Sequence, residues 1–232
     1  MSSGWGCHNR RVDSTAWDDR YAAVDLVWSA TPNAVVARET ADLPPGRALD
    51  LAAGEGRNAI WLAERGWRVT AVDFSAVATD RTRRLAAERL GTQAARVEAV
   101  TADLMTWSPE PGGADLVVLA YLQLGAEQRR HAHRLAATAL APGGTFLLVA
   151  HHSDNLTEGV GGPQDAGVLF TEADVVADLD GTGLVVDRAE RVERVVVAEG
   201  AGTHRAGGAA DRVALDVLVR AQRPADRPDP VG

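Results

Sequence analysis

The chain has 232 residues, a net charge of −8 and 46% apolar residues. That length can bury one sizeable α/β core. The acidic balance argues against a nucleic-acid partner, since phosphates need a basic stripe. All 24 basic residues are arginine, which excludes a Schiff-base lysine and a P-loop lysine. The single Cys7 excludes an internal disulfide and a cysteine-rich zinc site. No apolar run approaches the roughly 18 residues of a membrane span. Residues 1–11 lack the apolar core of a signal peptide, so a cytoplasmic protein with no membrane partner is expected.

Residues 1–13 are polar and read as a flexible arm. Residues 14–223 read as one domain, of which 14–45 form a helical cap. The cap holds WDDRYAAVDLVW, in which Trp17 and Tyr21 stand four apart and share a helix face. These aromatics either pack the helix on the core or form a lid over a ligand. A second short helix is expected over 33–40, with Pro32 or Asn33 near its start. Pro44-Pro45-Gly46 then breaks the chain.

The stretch over 48–75, ALDLAAGEGRNAIWLAERGWRVTAVDFS, organises the rest of the chain. It predicts a buried strand, a tight turn at 52–56, a helix over 57–65 stopped by Gly66, and a strand ending in Asp73. Next come a helix over 75–90, a strand over 96–101 closed by Ala102-Asp103-Leu104, and a buried strand over 115–120 with Tyr121-Leu122 past its end. A helix over 127–140, the turn Pro142-Gly143-Gly144 and a buried strand over 145–150 come after these. Residues 151–169 read as a long irregular loop. Thr171-x-x-Asp174 caps a short helix to 179. Two long strands over 184–197 and 212–220 are joined by 198–211, and a Pro-rich tail over 224–232 reads as disordered. Strand–helix repeats and then two adjacent strands predict a Rossmann-like α/β fold. Its sheet is seven-stranded and mostly parallel, with an antiparallel C-terminal hairpin and helices on both faces.

Asp50, Asp73 and Asp103 fall at three successive strand ends, which share one edge of a parallel sheet around one crevice. Gly54-x-Gly56-x-x-Ala59 with Asp73 downstream also satisfies a dinucleotide fingerprint, so an NAD-dependent oxidoreductase is an alternative. Asp50 argues against it, because a carboxylate facing a pyrophosphate repels it. The same Asp suits S-adenosylmethionine (SAM), which has no phosphate and carries a sulfonium and an ammonium. In that reading Asp50 accepts from the methionine ammonium, Asp73 from the ribose hydroxyls, and Asp103 from the adenine amine, with the Leu104 N–H at the ring. Gly54 and Gly56 let the backbone approach the methionine portion. A SAM-binding sensor without catalysis is the second alternative.

These residues resemble those of class I SAM-dependent methyltransferases. Within that superfamily, ALDLAAGEGRNAIWLA is similar to the tellurite-resistance methyltransferases, and more loosely to thiopurine methyltransferases. Arg57-Asn58 and Pro142-Gly143-Gly144 are part of the resemblance, and Trp17 and Tyr21 resemble the aromatics that thiopurine methyltransferases pack around SAM. It implies methyl transfer to a small-molecule acceptor. Trp28, Ala52, Asn58, Phe74 and Ala120 complete the candidate cofactor set. Ala52 replaces the family's first glycine, and its methyl group is expected to fit if φ is negative. Thr203-His204-Arg205 with Arg212 seven residues on resembles the family's substrate residues, which implies His204, Arg205 and Arg212 as the catalytic set. Two guanidiniums could hold an oxyanion, and a His can move a proton near neutral pH. A small soft or oxyanion acceptor, such as a thiol, selenium or tellurium species, or another small metabolite, is expected, with no residue evident as a committed base. In the 151–169 loop Gln164 and Asp165 are candidate substrate contacts on a wall or lid, and the adjacent His151 and His152 point to opposite faces, against a shared metal.

Overall fold

The computed structural model describes residue 18, residues 31–196 and residues 212–225. The expected arm, the aromatics Trp17, Tyr21 and Trp28, the loop bearing His204 and Arg205, and most of the tail lie outside the described residues.

Seven strands form one sheet: β1 (Arg47–Leu51), β2 (Arg68–Asp73), β3 (Val97–Thr101), β4 (Ala114–Ala120), β5 (Leu140–His151), β6 (Val185–Val196) and β7 (Arg212–Gln222). Their order is β3-β2-β1-β4-β5-β7-β6. The first five are parallel, and β7 runs antiparallel between β5 and β6. Among the described residues, helices pack around the sheet: α1 (Ala34–Thr40), α2 (Arg57–Glu64), α3 (Ala76–Leu90), α4 (Ala126–Ala139) and α5 (Glu172–Asp178). Apolar side chains of the central strands alternate between two clusters. Leu49, Leu51, Leu119 and Phe146 pack on one face beneath α4 and α5. Ala48, Leu116, Val118 and Leu147 pack on the other beneath α1 and α2. This two-sided burial is what makes the strands read as continuous apolar runs.

Helix starts are set by local chemistry. Asn33 Oδ1 accepts from the N–H groups of Val35 and Val36 and caps α1. Ser75 Oγ accepts from Ala78 N at the start of α3. Thr171 and Asp174 close a full capping box on α5.

Two segments differ from expectation. Strand β5 begins at Leu140, directly after α4, rather than after Pro142-Gly143-Gly144. Leu140 already pairs with Ala114, and the ladder then shifts register before Leu116. A bulge absorbs the turn residues, and Gly143 supplies the positive φ of 80° that this needs. The expected irregular loop after β5 contains two 3₁₀ turns, Ser153–Leu156 and Ala166–Val168. It is tied to β7 by buried Asn155, whose Oδ1 accepts from Leu215 N and whose Nδ2 donates to Gly161 O.

Candidate active site

The turn after β1 is built by the backbone. Ala53 N donates to Val72 O, and Gly56 N donates to Ala53 O, both at 3.0 Å. Gly56 has a φ of 77°, and a Cβ there would lie 2.5 Å from Thr82 Cγ2. Only glycine therefore fits that position without moving α3. Ala52 also lies in the left-handed region, at a φ of 56°, so the condition for an unstrained methyl group, a negative φ, is not met. The turn keeps the backbone path that a glycine would take, and the alanine methyl carries strain of about 1–2 kcal/mol. Replacing Ala52 with Gly should raise stability by roughly 1 kcal/mol, less the entropy that glycine adds to the unfolded chain. A urea midpoint unchanged or lowered in that variant would contradict the strain.

Asp50 is 1% exposed, and neither carboxylate oxygen accepts a hydrogen bond among the described residues. Burial pushes its pKa up to about 7, against the pull of the Arg57 charge and the nearby Ala59 N–H. A buried polar group with no partner is costly and calls for an explanation. Asp73 is also buried, and its two oxygens accept from Gly54 N at 2.8 Å and Ser75 N at 2.9 Å. Burial raises its pKa and outweighs those donors, and Asp18 adds like charge. Asp18 also accepts from the Ser75 hydroxyl. Asp103 Oδ1 accepts from Met105 N at 2.9 Å. Asp73, Phe74, Asp103 and Leu104 line one cavity of about 160 Å³, together with Ala52 and Leu122. The structure thus brings the adenosine-side candidates together at one edge, with Asp50 one strand further along.

Other candidates sit differently. Asn58 is buried, and its Oδ1 accepts from Asn33 N at 2.9 Å, so it fixes the entry to α1. Ala120 ends β4 and packs with the cluster under α1 and α2. Arg212 is exposed at the start of β7, opposite Val196. Asp165 Oδ1 accepts from Gly167 N, and Gln164 is exposed with a 3.5 Å contact to Gly162 O, so both turn toward their own loop. No cluster of His, Cys, Asp and Glu suited to a metal exists among the described residues.

Sequence reasoning missed a polar network beside the glycine turn. Asp216 is fully buried in β7. Its Oδ2 accepts from the Tyr121 hydroxyl and from Arg194 Nε, each at 2.7 Å. Burial raises the Asp216 carboxyl, but the neighbouring His151 ring, hydrogen bonds from Arg194 and Tyr121 and the Arg194 charge bring it below the usual range. Tyr121 lies past the end of β4 at a φ of 61°, a strained position for a bulky residue. Burial and the Asp216 charge raise its pKa, which keeps the phenol protonated. Asn33 Nδ2 donates to the Tyr121 hydroxyl at 3.2 Å, linking this network through Asn58 to α2. The sequence signal was an acid inside the apolar run VALDVLV.

Residues 48–144 match the model of the family described as "Methyltransferase domain". Over that stretch, from β1 into β5, the chain is similar to this family. Over 112 residues it is 34% identical to ribosomal RNA small subunit methyltransferase C of Alcanivorax borkumensis. That match covers 46% of this chain and 33% of the relative, so the domain corresponds to about a third of that protein's length. Among solved structures, one concerned with converting a disulfide bond into a thioacetal group in echinomycin biosynthesis aligns with a TM-score of 0.65 at 19% identity, over 92% of this chain and 93% of the other. The 1,6-didemethyltoxoflavin-N1-methyltransferase of Burkholderia thailandensis, solved with its acceptor and S-adenosylhomocysteine, aligns with a TM-score of 0.63 at 20% identity, over 91% and 87%. These likenesses establish a shared Rossmann-like fold. No described helix is long and apolar enough to cross a membrane.

Proposed function

We propose that this protein transfers a methyl group from SAM to a small-molecule acceptor, a soft nucleophile (a thiol, selenium or tellurium species) or another small metabolite. The observation that carries the cofactor reading is Asp50, an orphaned buried carboxylate beside a glycine turn. A cationic ammonium would satisfy it, whereas a pyrophosphate would be repelled. SAM supplies a methyl carbon activated by a sulfonium leaving group. The chain's part is to bind, align and exclude water. Asp73, held by Gly54 N and Ser75 N, retains lone pairs for two vicinal hydroxyls. Asp103 and Leu104 line the same cavity.

A small acceptor fits the net charge of −8 better than RNA does. Support for a soft atom comes from the resemblance to tellurite-resistance methyltransferases and from the sulfur chemistry attached to the echinomycin structure. The roles read onto His204, Arg205 and Arg212 remain part of this proposal.

Calorimetry with SAM, S-adenosylhomocysteine and NAD tests it. SAM and its product should bind and NAD should not; binding of NAD alone would overturn the reading. Because Asp50 in the free protein titrates at about 7, SAM affinity should fall as pH drops below that value, by up to about tenfold per unit. An affinity flat from about pH 8 to about 5.5 would contradict the ammonium contact. Asp73→Asn should weaken SAM by at least about tenfold, the scale of a lost charge-assisted hydrogen bond. Equal affinity in that variant would remove Asp73 from the ribose site.

A further inference from the structure

The three acids give the edge a direction. In the proposed reading Asp103 after β3 meets adenine, Asp73 on β2 meets ribose and Asp50 on β1 meets the methionine end. With the order β3-β2-β1-β4-β5-β7, the sulfonium end therefore faces β4, and the acceptor belongs over β4, β5 and β7. The groups waiting there are Tyr121 after β4, His151 at the end of β5, Asp216 on β7 and Arg194 on β6.

Their arrangement is that of a base and its orienter. His151 Nδ1 lies 3.3 Å from Asp216 Oδ1, and His151 and Asp216 are register partners across β5 and β7. Nδ1 is buried and makes no hydrogen bond, so Asp216 is the carboxylate within its reach among the described residues. Nε2 makes no hydrogen bond among the described residues, and the His151 side chain keeps 14% of its surface exposed. The ring position is fixed from several sides. Its centroid lies 4.8 Å from that of Tyr121. Gly162 backs onto it so closely that a Cβ would stand 2.9 Å from ring carbons. The His151 backbone N–H donates to Gln123 Oε1 at 2.8 Å. Asp216 is itself held by Tyr121 and Arg194, so its carboxylate cannot swing away.

We propose that His151 is the general base of the methyl transfer, with Asp216 as its positioning residue, and that the acceptor is one whose attacking atom still carries a proton at neutral pH, such as an aliphatic thiol. The inference rests on the methyl-transfer reading above. As the acceptor sulfur forms its bond to the methyl carbon, the bond from that carbon to the sulfonium breaks. The sulfonium leaves as a neutral thioether, and the acceptor's S–H proton passes to His151 Nε2. The arginine of the network neutralises Asp216, so the imidazolium that forms sits beside a balanced ion pair rather than a bare anion.

The test uses the full chain, His151→Gln and Asp216→Asn, with graded thiols: aromatic thiols ionised at the assay pH and aliphatic thiols that are not. His151→Gln should lose about 10²–10⁴-fold in kcat with aliphatic thiols. With pre-ionised aromatic thiols the loss should be less than about tenfold. An equal loss for both sets, or none for either, would overturn the role as base. Calorimetric affinity for S-adenosylhomocysteine should be unchanged in His151→Gln. Failure of the unaltered protein to bind it would instead sink the methyl-transfer reading. A readout independent of turnover is the histidine ¹⁵N spectrum of the S-adenosylhomocysteine complex. It should show His151 as the Nδ1–H tautomer, changed in Asp216→Asn; an Nε2–H tautomer in the unaltered protein would overturn the proposal whatever the acceptor.

Discussion

Replacing Asp50 with Asn will stabilise the ligand-free protein at pH 8 while removing most of its affinity for SAM. Both effects have one cause. The folded protein raises the Asp50 pKa from 3.8 to about 7 because burial disfavours the charge more than Arg57 favours it. A group whose folded pKa is raised favours folding while it is protonated. That contribution is complete below about pH 4 and is lost as pH rises through about 7. By pH 8 the ionised carboxylate opposes folding by up to about 4 kcal/mol. The neutral amide escapes that cost, so the variant should melt several degrees higher at pH 8, where about 2–4 °C accompany each kcal/mol. At pH 5 the advantage should shrink to about 1.6 kcal/mol, and it should vanish only below about pH 4, where the folded and unfolded carboxyls are both neutral. Binding moves the other way. An ammonium left without its buried carboxylate loses about 2–5 kcal/mol, or roughly 30- to 4,000-fold in affinity. A variant that melts lower at pH 8, or binds SAM equally well, would show that this carboxylate is not held in reserve for a cation.

The same residue shows what a sequence can disclose. Asp50, Asp73 and Asp103 were legible because strand ends are set by local apolar runs, and a parallel sheet brings successive ends to one edge. The cap of α1 by Asn33 and the capping box of α5 were legible for the same local reason. The backbone at Ala52 was not. Its φ of 56° is imposed by hydrogen bonds to β2, which override the residue's own preference. The Tyr121–Asp216 bond joins residues 95 apart, and the Asp216–Arg194 pair depends on the β6–β7 register. No local pattern encodes that meeting. Only the misplaced acid in VALDVLV hints at it, as a charge that an apolar strand must neutralise somewhere. His151 was visible as a residue but not as a base, because its meaning lies in the strand that passes beside it.

The largest loss of stability should come from Asp178→Ala, far along the chain from these acids. Asp178 ends α5 at 1% exposure, and three basic side chains stand around its carboxylate. Arg129 Nε stands 2.7 Å from Oδ2, His133 Nδ1 3.1 Å from Oδ2, and Arg130 Nε 3.3 Å from Oδ1. Arg129 lies over the Phe170 ring at 5.0 Å, and His133 meets Phe146 edge-on at 6.0 Å. Burial raises the Asp178 carboxyl, but bonds from His133 and Arg129 bring it down to about 2. Its contribution is therefore present above about pH 4 and lost as pH falls through about 2. Burial also lowers the His133 pKa, so protonating that ring opposes folding on the acid side as well. Removing the carboxylate strands a buried guanidinium and imidazole, which should cost about 3–5 kcal/mol. The melting temperature should fall by roughly 6–20 °C. Replacing Arg129, His133 and Asp178 together with Met, Leu and Leu should recover most of that loss, because no buried charge is then left alone. A triple variant as unstable as Asp178→Ala would mean that the ion pairs themselves, and not the avoidance of an orphaned charge, hold α4 against α5.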